Sequence, residues 1–218
     1  MLSDVEGIRF QPLVALKTGE IIACEVLSSI KNSNPEKWFS QLSSGKVFSL
    51  FLWQMEYLAK FPGEYWLNLP VRIFCNTHKI KQLVNINHDN RIILEVQDPE
   101  NLPHLSWDEL TAFKKGVDVL RQAGWRIWLD DVTSTLIPLI SRMPLQVNGI
   151  KIDRNEIKDS GRIVALISKA SVIYPQILVE GIETPQERQR ILLTHAQYGQ
   201  GFLWPERKVL LNAPKKMY

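Results

Sequence analysis

A chain of 218 residues can bury one sizeable core, and it suits one large α/β domain better than two small ones. With 45% hydrophobic and 22% charged residues, disordered and fibrous classes drop out, and no apolar run approaches the length that spans a bilayer. A formal net charge of +3 is too weak to argue for direct nucleic-acid binding, and the tail residues Arg207, Lys208, Lys215 and Lys216 read as a solvated end.

The opening segment MLSDVEGIRF has neither the basic nor the apolar region of a secretion signal. The only cysteines, Cys24 and Cys75, lie in apolar stretches that suit buried, reduced thiols. Both observations point to the cytoplasm, away from any membrane.

In chain order, strands are expected at 8–14 and 21–27, joined by KTGE. That link is too short for a crossover, so the pair should be an antiparallel hairpin. A helical stretch follows from Trp38 to Phe61, broken near Gly45. Strands at 64–69 and 91–96 come next, then a helix opened by a capping box at Ser106 and Glu109 and closed at Gly124. Strands at 126–130, 149–152, 177–181 and 199–203 alternate with helices over 160–174 and from Thr184, where Thr184 caps and Pro185 takes the first helical position. Alternating strands and helices imply crossovers and a mainly parallel sheet, and eight strands at this length suit a barrel. No linker or repeat interrupts the chain, so 1–218 reads as one domain.

Acidic or amide residues recur at the ends of these apolar runs: Glu25, Asn68, Glu95, Asp130, Asp131, Glu180 and Glu183. A parallel barrel would bring those ends to one mouth, where hard oxygen ligands select Mg²⁺ or Mn²⁺ over zinc. Two such ions side by side would clamp a phosphodiester, with Lys151 as the lone cation among the acids. Singly, each signal has a plainer reading: Asp130–Asp131 as a helix-capping pair, Glu180 as a solvated strand end. His78, His88, His104 and His195 show no metal spacing, and Gly199-Gln200-Gly201 is too short for a phosphate loop and reads as a strand-edge turn. Trp53, Trp125 and Trp128 read as core, while Trp38 and Trp204 are candidate anchors for a protein partner that more often serve as core or rim packing.

The blocks FQPLVALKTGEIIACEVL, NLP, LEVQD, LDD, KID, VEGIE and QGF run in the order seen in EAL domains, the cyclic di-GMP phosphodiesterases of bacteria. The resemblance extends from Phe10 to about Pro205. It implies an α/β fold, a modified TIM (β/α)8 barrel with one antiparallel strand. It also implies that Glu25, Asn68, Glu95, Asp130, Asp131 and Glu180 are metal ligands. Lys151 matches the water-orienting lysine, and Glu183 and Gln200 match positions that support the ligands or the water.

Three departures from the family pattern touch substrate grip. Ser29 stands where active members carry a phosphate-gripping arginine. Val132, Thr133, Ser134 and Thr135 replace a Phe-Gly-Thr-Gly loop, and β-branched threonines resist the positive φ that glycines allow. Asp98 is one methylene shorter than the glutamate that anchors this loop in the family.

WLNLP and GFLWP are similar to a stand-alone, degenerate subgroup of enteric bacteria that binds the flagellar master transcription regulator and suppresses motility. The resemblance therefore implies a protein-binding regulator of motility or biofilm with little or no hydrolysis, holding Mg²⁺ or Mn²⁺ if it holds metal. The competing implication is a working phosphodiesterase with cyclic di-GMP as its ligand.

Overall fold

The KTGE link does what its length demands. In the computed structural model, which describes residues 4–31, 33–86, 90–143 and 145–211, β1 (Val5–Ala15) and β2 (Ile21–Ile30) form an antiparallel hairpin that pairs Gln11 with Glu25. From β2 the sheet continues in parallel through β3 (Tyr65–Pro70), β4 (Ile92–Gln97), β5 (Arg126–Val132), β6 (Gly149–Ile152), β7 (Ile177–Val179) and β8 (Tyr198–Gly199). β8 then pairs antiparallel with β1, closing an eight-stranded barrel in which β1 alone runs against the rest. This is the α/β barrel that the sequence implies.

Around the barrel lie α1 (Pro35–Ser40), α2 (Ser44–Leu58), α3 (Val71–Phe74), α4 (Thr77–Val84), α5 (Trp107–Gln122), α6 (Ile137–Arg142), α7 (Ser160–Ser171) and α8 (Pro185–Leu192). The outward side chains of the strands, among them Leu67, Leu94, Ile127 and Ile150, are fully buried against Phe51, Phe74, Phe113 and their neighbours.

Strand alternation organises the inside into two layers. The lower layer is apolar: Leu13, Ala23, Trp66, Ile93, Trp128 and Leu178 form a separate cluster, with Tyr198 against it. The Trp66 and Trp128 rings lie 4.5 Å apart. Gly149 must lack a side chain here, because a Cβ would come within 2.7 Å of the Trp128 indole and 2.6 Å of the Gln176 carbonyl. Two residues further along each strand come Glu25, Asn68, Glu95, Asp130, Lys151, Glu180 and Gln200. One period of two thus separates a dry floor from a charged ring.

Several expected boundaries shift. The break in the first helical stretch falls at 41–43, where the Ser43 hydroxyl caps α2, and Gly45 lies inside that helix. α7 stops at Ser171, short of the expected 174, and α8 runs from Pro185 to Leu192. The expected strand at 199–203 ends at Gly199, because the chain turns at Gly201, where a Cβ would sit 2.2 Å from the Ile182 carbonyl oxygen. Arg207 and Lys208, read as a solvated end, are exposed but belong to a ninth strand, β9 (Arg207–Leu210), paired antiparallel with Gly7–Phe10 of β1. Cys24 and Cys75 are only partly buried, though desolvation still raises both thiol pKa values, that of Cys75 to about 11. The capping boxes at Ser106–Glu109 and Thr184–Glu187 are both formed. Trp125 and Trp128 are buried, whereas Trp53 is a partly buried edge residue. Trp38 and Trp204 are partly buried too, and Trp107, at the start of α5, is 81% exposed. His88, Lys215 and Lys216 lie outside the described residues.

Candidate metal centre

Four strand ends bring five carboxylates to one mouth. Glu25, Glu95 and Asp130 place an oxygen each within 4.8 Å of one another, and so do Asp130, Asp131 and Glu180, with Asp130 common to both groups. The Lys151 ammonium lies between them, fully buried, 2.8 Å from Glu95 Oε1, Asp130 Oδ1 and Glu180 Oε1, and 3.1 Å from Glu25 Oε2. Asn68 Nδ2 donates to Glu25 Oε1 at 2.7 Å, and Gln200 Nε2 donates to Glu25 Oε2 at 2.7 Å.

The electrostatics follow from this crowding. Burial works to raise the Glu25 pKa, but the Lys151 charge and the bonds from Gln200 and Asn68 outweigh it and hold Glu25 below its ordinary range. Elsewhere burial wins. Glu95 and Glu180 are pushed well above the usual carboxylate range by desolvation and by neighbouring acids, and Asp130 is pushed up to about 7 for the same reasons. Asp131 is also raised, chiefly by burial, and shares a hydrogen bond with Glu180. Burial would lower the Lys151 pKa, but Asp130, Glu180, Glu25 and Glu95 hold it well above its usual value, so it stays an ammonium.

The donor set fits hard divalent cations. Asn68 Oδ1, Glu95 Oε2 and Gln200 Oε1 are buried oxygens with no hydrogen-bond donor. Buried oxygens that receive no hydrogen bond can be satisfied by Mg²⁺ or Mn²⁺, and buried polar atoms left without a partner are otherwise costly. If all five carboxylates were ionised against one ammonium, the ring would carry −4, which two divalent ions would balance.

Asp131 is held in an unusual way. It sits at φ 47°, in the left-handed region, where the β5–β6 register jumps between Leu129 and Val132. The jump is a β-bulge, and it lets Asp130 and Asp131 serve the same mouth although adjacent strand residues normally point to opposite faces.

The remaining expected residues fall as follows. Glu183 is exposed on the rim, and its backbone N–H donates to Glu187. Ser29, 8% exposed, donates its hydroxyl to Glu6 Oε1 at 3.0 Å, and Lys208 of β9 donates to the same oxygen at 2.6 Å. Asp98 accepts from the Val71 N–H at 2.9 Å, a bond that anchors α3 and not the loop after Asp131. Val132 pairs with Ile152 and is buried, and neither Thr133 nor Thr135 takes positive φ. That loop therefore follows a path of its own, in which the Thr133 carbonyl accepts from Leu136 and Ile137 and the Thr133 and Thr135 hydroxyls lie 2.9 Å apart. Gln11, Arg154 and Phe202 also line the mouth cavity, of about 320 Å³, and were not expected there. Gln11 was discoverable from alternation, since it precedes the buried Leu13 by two on β1.

Comparison with known proteins agrees with this architecture. Residues 7–206 match the family model for the EAL domain. A curated relative, "Probable cyclic di-GMP phosphodiesterase PdeB" of Escherichia coli K12, is 25% identical over 90% of this chain, which spans 42% of the relative's length. Among solved structures, the Klebsiella pneumoniae BlrP1 complex with calcium and cyclic di-GMP superposes with a TM-score of 0.76 at 17% identity, covering 96% of this chain and 57% of BlrP1. The EAL-like domain protein YdiV superposes at 0.64 with 17% identity and 94% of both chains covered. The chain belongs to the EAL domain family.

Proposed function

With EAL membership as the premise, we propose that this chain is a divalent-cation-binding EAL domain that acts as a protein-binding regulator, with little or no hydrolysis of cyclic di-GMP. The observation that carries the reading is Ser29. Where the family pattern places a phosphate-gripping arginine, this hydroxyl is spent on Glu6, which Lys208 also occupies. Above the buried Lys151, Arg154 is the one basic side chain lining the mouth cavity among the described residues, against Glu25, Asp130, Asp131, Asp153, Glu180 and Glu183. A dianionic dinucleotide would meet mostly negative charge beyond whatever the cations neutralise.

In the ring, Glu25, Asn68, Glu95 and Asp130 would hold one Mg²⁺ or Mn²⁺, and Asp130, Asp131 and Glu180 the other. Bound there, such ions supply Lewis-acid activation of a phosphodiester and of a nucleophilic water. Lys151 keeps its proton and holds four carboxylates in place. Gln200 and Asn68 orient Glu25, and Glu183 stands at the entrance.

The partner implied by the subgroup resemblance is the flagellar master transcription regulator, engaged through an outer face of the barrel so that its DNA-binding surface is covered. Trp107, Leu193 and Val172, each more than 80% exposed, are better anchor candidates than Trp38 and Trp204.

A second reading, a working phosphodiesterase, is favoured by one observation: the ring is complete, with Lys151 at its centre. Assaying linear product and calorimetric binding with cyclic di-GMP and Mn²⁺ separates the two. The regulator reading expects weak binding, negligible turnover, and a gain in both for Ser29→Arg. Clear turnover by the unmodified chain at micromolar substrate overturns it.

A further inference from the structure

Asp131 needs an outside hold. A non-glycine residue in the left-handed region sits there at a cost and persists only where its surroundings insist on it. On its N-terminal side β5 is held by the β-ladder up to Leu129, and on its C-terminal side Val132 pairs with Ile152 while its carbonyl accepts from Asp153 N–H. The next fixed point lies two residues on. Ser134 N–H donates to Glu156 Oε1 at 2.9 Å, and Glu156 Oε2 is 3.1 Å from Arg162 Nε of α7. Arg162 closes the triangle by donating to the Ser134 hydroxyl from Nε at 3.1 Å and also from its terminal nitrogen. Glu156 is only 7% exposed, although it lies on a short 3₁₀ turn after β6 and touches none of the ring carboxylates. A carboxylate buried away from the ring and bonded to a loop N–H does a structural task for that loop.

We infer that Glu156 is a positioning residue for Asp131: with Arg162 it clamps the 133–136 loop, and so sets the outer cation position formed by Asp130, Asp131 and Glu180. The clamp does for this chain what Asp98, committed to Val71, does not do. Of the inner ligands, Glu25 and Glu95 stand on regular strand pairing, so the inner position depends on the clamp only through the shared Asp130. The inference rests on the reading that the ring holds divalent cations.

The test is Mn²⁺ titration of the full chain by calorimetry, with Asp131→Asn marking which of two binding events is the outer one. Glu156→Ala should weaken that event by about 10- to 100-fold, the usual effect of removing a group that orients a ligand, and weaken the inner event far less. Glu156→Gln retains an oxygen for Ser134 N–H and should recover part of the loss. Arg162→Ala, at a side chain 54% exposed and so safe for folding, should shift the outer event in the same direction. Unchanged outer binding in both Glu156→Ala and Arg162→Ala, or equal weakening of both events, overturns the inference while the cation reading stands. A wild-type chain that binds no Mn²⁺ overturns the cation reading and the inference together.

Discussion

Replacing Lys151 with Met removes one charge and little volume, so packing of the barrel interior is nearly conserved and the effect is electrostatic. The ammonium makes four contacts of 2.8–3.1 Å and is fully buried. Without it, five carboxylates face one another with no counter-charge in the absence of cations. Breaking a buried ion pair by deleting one partner costs about 3–5 kcal/mol. For a chain of this size that is a fall in Tm of roughly 6–20 °C at 2–4 °C per kcal/mol. The assay is thermal and urea unfolding of wild type and Lys151→Met in chelator at pH 8, repeated at pH 5.5 and with Mn²⁺. Two features should accompany the loss. It should shrink at pH 5.5, below the Asp130 pKa of about 7, where that carboxyl is protonated. Saturating Mn²⁺ should offset much of it, since each cation at 100 times its Kd adds about 2.7 kcal/mol. A loss below about 1 kcal/mol in chelator, or one that is the same at both pH values, would refute the idea that Lys151 holds the ring together.

Two further outcomes follow from the same charges. Between the ordinary carboxylate range and the raised values of Asp130, Asp131, Glu95 and Glu180, the folded chain keeps protons that the unfolded chain has released. Stability of the cation-free protein must therefore fall as pH rises from 6 to 8, while Mn²⁺ affinity rises and binding releases protons; a Tm in chelator that climbs over that range contradicts the assignment. Asp131→Asn tolerates the left-handed backbone and removes one of the repelling charges. It should raise Tm in chelator and reduce Mn²⁺ stoichiometry from two to one, and an unchanged stoichiometry would exclude Asp131 as a ligand.

The barrel and its ring were legible because both depend on local rules. KTGE could only be a hairpin, and a carboxylate two residues past an apolar inward residue could only face the mouth once the strands ran parallel. The floor was less legible: Trp128 read as core on its own, and nothing local says that it meets Trp66 or that Gly149 must make room for it. β9 escaped because Arg207 and Lys208 carry polar side chains on an exposed strand, and its pairing with β1 leaves no apolar alternation to read. Glu156 escaped for a different reason. It follows the KID block by three residues and looks like any surface acid, and its role exists only once α7 brings Arg162 against the 133–136 loop. The bulge at Asp131 is likewise a property of pairing across strands, which a single run of residues cannot display.

The Trp66–Trp128 floor closes the ring from beneath, like the bottom of a cup. Water and ions cannot reach the carboxylates from beneath, so a proton displaced by an arriving cation has to leave past that cation, through the same aperture. Entry and exit are then in series. Whatever covers Arg154, Glu183 and Phe202 at the rim would slow both together. A partner seated there would trap the ions already bound, and its grip could be read in the rate at which chelator strips them.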